Sequence, residues 1–126
     1  MMKVIVDEEL VDHNYVDRYT LGFDQLVERL RSLSLDDLSS TCDVPVAKIQ
    51  ELARAFGQTR PAALRIGFGM QRCRGGAEAI RAVACLPALT GAWRDAGGGI
   101  CSPGRAMMNA QNTVTEIGRA SCRERV

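Results

Sequence analysis

Between Ala62 and Gly76 the chain passes from a short apolar segment, Ala62-Ala63-Leu64-Arg65-Ile66, into Gly67-Phe68-Gly69-Met70-Gln71-Arg72 and on through Cys73-Arg74-Gly75-Gly76. A strand that ends in glycines and leads into a helix can do chemistry for simple reasons. Glycine has no Cβ, so the backbone can come close to a ligand. The first turn of the next helix has N–H groups without intrahelical partners and a positive dipole end, so anions are favoured there. In open α/β sheets, ligands collect at this edge, beyond the carboxyl ends of the strands. The segment is therefore a candidate site for a phosphate-bearing cofactor. The dinucleotide fingerprint GxGxxG would require glycine where Arg72 stands, so the match is incomplete. From the pattern alone, a tight strand-to-helix turn with no ligand remains equally open.

Other reactive residues are sparse. The five cysteines, at positions 42, 73, 85, 101 and 122, include no CxxC pair. That spacing argues against a zinc or iron–sulfur site made by this chain and for reduced thiols. His13 is the only histidine, and no Ser–His or Cys–His arrangement surrounds it. It reads as a surface or helix-end residue.

Helices must position the loop. Asp7 is a candidate cap for a first short helix, with Glu8 and Glu9 in its first turn. Val11, Tyr15 and Tyr19 then recur at i, i+4 and i+8, and Thr20-Leu21-Gly22 breaks the pattern. A second helix is expected from about Phe23 to Leu33, with Phe23, Leu26, Val27, Leu30 and Leu33 on one side. Asp24 near its start and Arg29 and Arg31 near its end suit the dipole. Ser34 to Cys42 is polar and reads as loop plus a helical turn. A third helix begins at Pro45, with Ile49, Leu52, Ala53 and Phe56 as its apolar face and Gly57 as its C-terminal cap. After the glycine-rich loop, a helix from about Ala77 to Thr90 is nearly apolar in its second half, where Pro87 should kink it. Gly91 and Gly97-Gly98-Gly99 end the regular structure. One strand cannot make a sheet, so either its neighbours lie in sequence that this chain lacks or the chain is not a self-sufficient domain.

Bulk properties exclude more than they identify. The 126 residues are 46% hydrophobic and 25% charged, with net charge +1, as in ordinary soluble domains. This balance gives no electrostatic reason to expect nucleic acid or an anionic membrane as partner. No apolar run approaches the roughly 20 residues of a membrane span, and the start lacks the apolar core of a secretory signal. The compartment is left open, with the cytoplasm slightly favoured. The last eleven residues, Glu116 to Val126 (EIGRASCRERV), lack any apolar period. They resemble a translated sequencing-library adapter and are set aside from the fold as a scar. Without them the 16 basic and 15 acidic residues fall to 13 of each.

Longer patterns carry a resemblance. Leu64 to Arg72 continues through Gly75-Gly76 and the helix Ile80-Arg81-Ala82-Val83-Ala84-Cys85-Leu86-Pro87-Ala88-Leu89-Thr90-Gly91-Ala92-Trp93 to Gly97-Gly98-Gly99. Upstream lie Tyr19-Thr20-Leu21-Gly22-Phe23-Asp24, and Val44-Pro45 leading to Ile49 and Leu52-Ala53-Arg54. In this order and spacing they resemble the dimethyl sulfoxide reductase family of molybdenum enzymes, which includes formate dehydrogenases, nitrate reductases and S- or N-oxide reductases. The likeness covers roughly Val11 to Pro103. Trp93-Arg94-Asp95 departs from the Asn-Ile-Gly type of turn found in many relatives.

The resemblance implies an α/β fold: an incomplete fragment of a Rossmann-like cofactor-binding region, mostly helical with one clear strand, over residues 1–115. It implies that the loop lies against molybdopterin guanine dinucleotide, the Mo-bis-MGD cofactor of the parent protein. Gly67 and Gly69 would bring backbone to the pterin. Gln71 would offer an amide to pterin or phosphate, and Arg72 its guanidinium fork to an anionic group. The plainer roles are a turn-stabilising Gln71 and a surface Arg72; Arg81 and Trp93 are read as structural. The molybdenum ligand and any iron–sulfur cysteines are expected upstream of the segment represented here. The chain is therefore assigned no catalytic residue and no metal ligand, and the position of Ser39, Ser40 and Cys42 does not match one. The parent would exchange two electrons with a small substrate, and the fragment alone would be inactive. Its partners would be the rest of the large subunit and an electron-transfer subunit. The alternatives are a small nucleotide- or phosphate-binding α/β module without redox activity, which predicts several strands, and a helical interaction domain, which gives the glycines no use.

Overall fold

The computed structural model describes residues 1–101, the side chain of Gln71 excepted. The adapter-like segment from Glu116 to Val126 lies outside the described residues. The first helix, α1 (Met2–Asp7), ends at the aspartate expected to begin one. It forms earlier because Val4 and Ile5 supply the apolar side chains that bury deepest. The true cap comes five positions later. The Asp12 carboxylate accepts the Tyr15 N–H at 3.0 Å and opens α2 (His13–Tyr19), as an N-cap aspartate should. Val16 is the buried residue of α2, while Tyr19 is exposed.

The next helix, α3 (Phe23–Arg31), follows its apolar period, with Leu30 buried and Phe23 and Leu26 against the core. The polar stretch after it, expected as loop plus a helical turn, is a full helix, α4 (Leu35–Cys42). Its start is well supplied: the Ser34 hydroxyl accepts the Asp36 N–H at 3.2 Å, and Asp36 and Asp37 face the positive end of the dipole. Pro45 stands just before α5 (Val46–Gln58), whose Ala53 and Phe56 are buried. Two details of α5 differ from the expectation. Gly57 lies inside the helix beside Leu10 and does not cap it. Leu52 is 58% exposed and stands away from the buried face.

A second strand corrects the one-strand reading. β1 (Ala63–Arg65) pairs in parallel with β2 (Gly99–Cys101), in the register Ala63 to Gly99, Leu64 to Ile100 and Arg65 to Cys101. The crossover between them is the glycine-rich loop and α6 (Gly76–Leu89), which runs on through Pro87. This is α/β architecture of minimal size: two short parallel strands beside a mainly helical body. The core gathers Val4 and Ile5 of α1, Ala53 and Phe56 of α5, Ala62, and Leu86 and Leu89 of α6. The second half of α6 is therefore its anchored half, and the first half reaches out beside the loop. The run Gly97–Gly99, expected to end regular structure, enters β2 instead. At Gly99 the backbone has φ +91°, and a Cβ there would stand 2.6 Å from the Trp93 ring. Trp93 thus packs over the start of β2, a structural use of that residue.

Candidate functional site

The loop begins where the sheet ends. The Ile66 N–H donates to the Cys101 carbonyl at 3.0 Å, the last tie between the strands. Gly67 continues in extended conformation (φ −86°, ψ 167°) into a single 3-10 turn, Phe68–Arg72. The chain then folds back. The Cys73 thiol lies 3.4 Å from the Gly69 carbonyl, and the Gly76 N–H donates to the Cys73 carbonyl at 3.0 Å. Gly75, at φ +76°, sets the start of α6. Strand end, turn and helix N-terminus are so brought to one edge.

Gly67 and Gly69 differ from the other glycines in a way that sequence could not tell. A Cβ added to either meets nothing within 4 Å, and neither residue has positive φ. Backbone conformation does not call for glycine at these two places, and neither does packing among the described residues. Between them Phe68 is 44% exposed. Arg72 closes the turn with its side chain in solvent and joins no ion pair among the described residues. The structure therefore places Gly67, Gly69 and Arg72 together on one open surface at the carboxyl edge of β1. The Gln71 side chain lies outside what is described. Surface of this kind, with bare backbone, an arginine and a helix N-terminus, suits an anionic group that approaches closely.

Behind the loop is a charged network that the sequence reading missed. Asp12 accepts a hydrogen bond from the Arg94 guanidinium and lies 3.6 Å from Arg60. Arg60 in turn reaches Asp95 at 3.2 Å. Burial alone would raise the Asp12 carboxyl. The Tyr15 N–H, the Arg94 hydrogen bond and the nearby arginine charges outweigh it and hold the group below its ordinary value. Arg94 also lies 5.9 Å from the centre of the Tyr15 ring. Arg60 precedes β1, and Arg94 and Asp95 precede β2, so the network ties the entrances of both strands to the start of α2. The Asp12 N–H donates to the Leu89 carbonyl at 2.8 Å and adds the end of α6 to the same knot.

The serines of α4 have ordinary backbone partners. The Ser39 hydroxyl donates to the Val44 carbonyl at 2.6 Å and the Ser40 hydroxyl to the Asp36 carbonyl at 2.9 Å. His13 is exposed at the start of α2, with its ring 5.9 Å from that of Phe23. Among the described residues, no three His, Cys, Asp or Glu side chains gather as a metal site would need. No helix among them is long and apolar enough to cross a membrane.

No family model matches the chain. Individual relatives do. It is 35% identical over 99 residues to "Probable oxidoreductase YoaE" of Bacillus subtilis, covering 79% of this chain and 15% of that protein. It is 31% identical over 107 residues to dimethyl sulfoxide reductase DmsA of Haemophilus influenzae, covering 70% of this chain and 13% of the relative. The F420-dependent formate dehydrogenase subunit alpha of Methanocaldococcus jannaschii is 29% identical over 111 residues, 88% of this chain and 16% of that subunit. The chain thus spans about 13–16% of the length of these curated relatives.

Proposed function

Since the chain belongs to the molybdopterin oxidoreductase family, we propose that it is a segment of a large catalytic subunit and lends a cofactor-contacting loop to that subunit. The two short parallel strands belong, on this reading, to a larger Rossmann-like sheet. Parallel sheets are rarely this small and are ordinarily covered on both faces. The cofactor is molybdopterin guanine dinucleotide, which when bound supplies the two-electron chemistry at molybdenum.

The observation that carries the proposal is the open surface at Gly67 and Gly69. Glycines that neither φ nor any described neighbour requires suit a backbone that a ligand approaches closely. On this reading a pterin or pyrophosphate lies against that surface. Gly67 and Gly69 give it bare backbone, and Arg72 faces its negative charge with a donor fork that cannot lose its proton. The N-terminus of α6 adds a fixed positive dipole to the same edge. Gln71 is assigned an amide hydrogen bond to pterin or phosphate. These residues bind and orient; none is assigned a proton transfer, and the metal ligand is assigned to another part of the subunit. The complete protein would reduce or oxidise a small substrate and pass electrons to a partner subunit.

Two measurements test this. Sequencing the genomic DNA around the locus should reveal an open frame that encodes the rest of a large subunit. In that full-length subunit, valine at position 67 or 69 should lower the molybdenum bound per polypeptide.

A further inference from the structure

Between Arg60 and Arg94 the chain carries four arginines, Arg65, Arg72, Arg74 and Arg81, and a single acid, Glu78. The imbalance is local, because residues 1–58 hold eleven acids against six bases. The fold gathers the four arginines at one end of the sheet. Arg65 is the last residue of β1 and Arg72 closes the 3-10 turn. Arg74 follows that turn, and Arg81 lies in the first half of α6, which packs beside it. All four are exposed, and none joins an ion pair among the described residues. The two arginines that bracket the stretch behave otherwise: Arg60 and Arg94 are taken up by Asp12 and Asp95. The outer pair holds the fold together, and the inner four leave their charge at the surface.

Protein surfaces ordinarily intersperse both signs of charge, and a patch of one sign raises the local concentration and arrival rate of ions of the other. The cofactor contact assigned above uses Arg72 alone, so Arg65, Arg74 and Arg81 exceed it. We infer that these arginines form an anion-attracting approach to the cofactor, and that the substrate of the large subunit is a small anion, an oxyanion or a carboxylate, rather than a neutral oxide. The inference rests on the proposed function above, in which the loop lies against the pterin, the part of the cofactor that carries molybdenum. Unscreened attraction reaches about 8 Å at physiological salt, so the guanidinium groups act on a group arriving at this edge. They speed its arrival and need not touch it when it reacts.

Cys73 reports the local potential without turnover, because its thiol is exposed between Arg72 and Arg74. The cofactor-free full-length subunit is alkylated with iodoacetate, an anion, and with neutral iodoacetamide. The iodoacetate-to-iodoacetamide rate ratio at Cys73 should fall as salt is added. At low salt it should fall at least about twofold in Arg65→Gln and in Arg81→Gln, whose charges reach Cys73 only through the fold. In the loaded subunit the probe substrates are nitrate and formate as anions, with dimethyl sulfoxide and trimethylamine N-oxide as neutral oxides. An anion should be turned over in preference. Arg65→Gln and Arg74→Gln should each lower its kcat/KM about three- to tenfold and flatten the salt dependence, with kcat and molybdenum content kept. Arg29→Gln, on α3, should change none of these. An unchanged ratio in both variants, a Cys73 that neither reagent reaches, or preference for a neutral oxide or for none of the four would overturn the inference. Loss of molybdenum in Arg65→Gln and Arg74→Gln would also overturn it, by assigning these arginines to the phosphates of the cofactor. Failure of the proposed function reads differently, since valine at position 67 or 69 would then keep full molybdenum.

Discussion

Replacing Gly67 separates a ligand's demand from a fold's demand, because the structure says what the fold requires there. At φ −86° and ψ 167° the residue sits in a region that any side chain adopts, and a Cβ has open space for 4 Å. Gly67→Ala should therefore leave the fold intact, or stabilise it by about 0.4–1 kcal/mol through the lost freedom of the unfolded chain. Gly67→Val and Gly69→Val should be tolerated by the chain in the same way. The ligand side has the opposite sign. If bulk at the loop breaks one hydrogen bond to a charged cofactor group, the loss is about 1.5–3 kcal/mol, or roughly ten- to hundredfold in affinity. Gln71→Ala should fall at the low end, since the cofactor keeps its other contacts. The contrast is Gly99→Val, where left-handed backbone costs about 1–2 kcal/mol and Trp93 must also move. Molybdenum per polypeptide and thermal midpoint are measured together in the full-length subunit. Gly67→Val and Gly69→Val should lose metal, while the midpoint of the cofactor-free subunit stays unchanged, since bound cofactor adds stability of its own. Gly99→Val should lower the midpoint, and Ala79→Ser on the exposed side of α6 should do neither. If both loop valines fold, keep full molybdenum and retain activity, the loop is only a turn and the site assignment is wrong.

Three further outcomes are expected. Asp12 has a depressed folded-state value, so its contribution is fully present above the ordinary aspartate range and is lost as pH falls through the folded value. Acid denaturation should be shallower in Asp12→Asn, and an identical acid limb would refute the network; Asp12→Ala should also lose a cap worth about 0.5–2 kcal/mol. Residues 1–115 expressed alone, with apolar surface and two strand edges left open among the described residues, should be insoluble or molten; a sharp cooperative melt of a monomer would contradict this. Amplifying the locus from source DNA should give codons after about Thr115 that differ from those of the present tail, and finding the same codons would remove the adapter reading.

Much of the helical body was legible because its signals are local. Phe23 through Leu30 and Ile49 through Phe56 repeat at helical spacing, and glycines after an apolar strand marked the loop. α4 was misread because its serines and acids suggest a loop, although Ser34 followed by Asp36 and Asp37 is also how a helix begins. Asp7 and Asp12 are equivalent as caps on paper; the burial of Val4 and Ile5, a matter of tertiary packing, decided between them. β2 has three residues, begins with glycine and gains its identity only from a partner far back in the chain. The same distance hid the Asp12 network, whose Arg94 contact spans 82 positions. As for the site, Gly67, Gly69 and Arg72 could be picked out by type. That the two glycines are optional for the fold could be known only from the space around them.

The knot of Asp12, Arg60, Arg94 and Asp95 makes the small sheet mechanically asymmetric. Both strands are clamped where they enter, by charged side chains and by the Gly99 N–H bonded to the Ala62 carbonyl at 3.0 Å. Where they leave, the Ile66 N–H donates to the Cys101 carbonyl at 3.0 Å and the loop begins just beyond it. The charged ties thus gather at the end of the sheet away from the loop, and the length of both strands separates Gly67 to Arg72 from the knot.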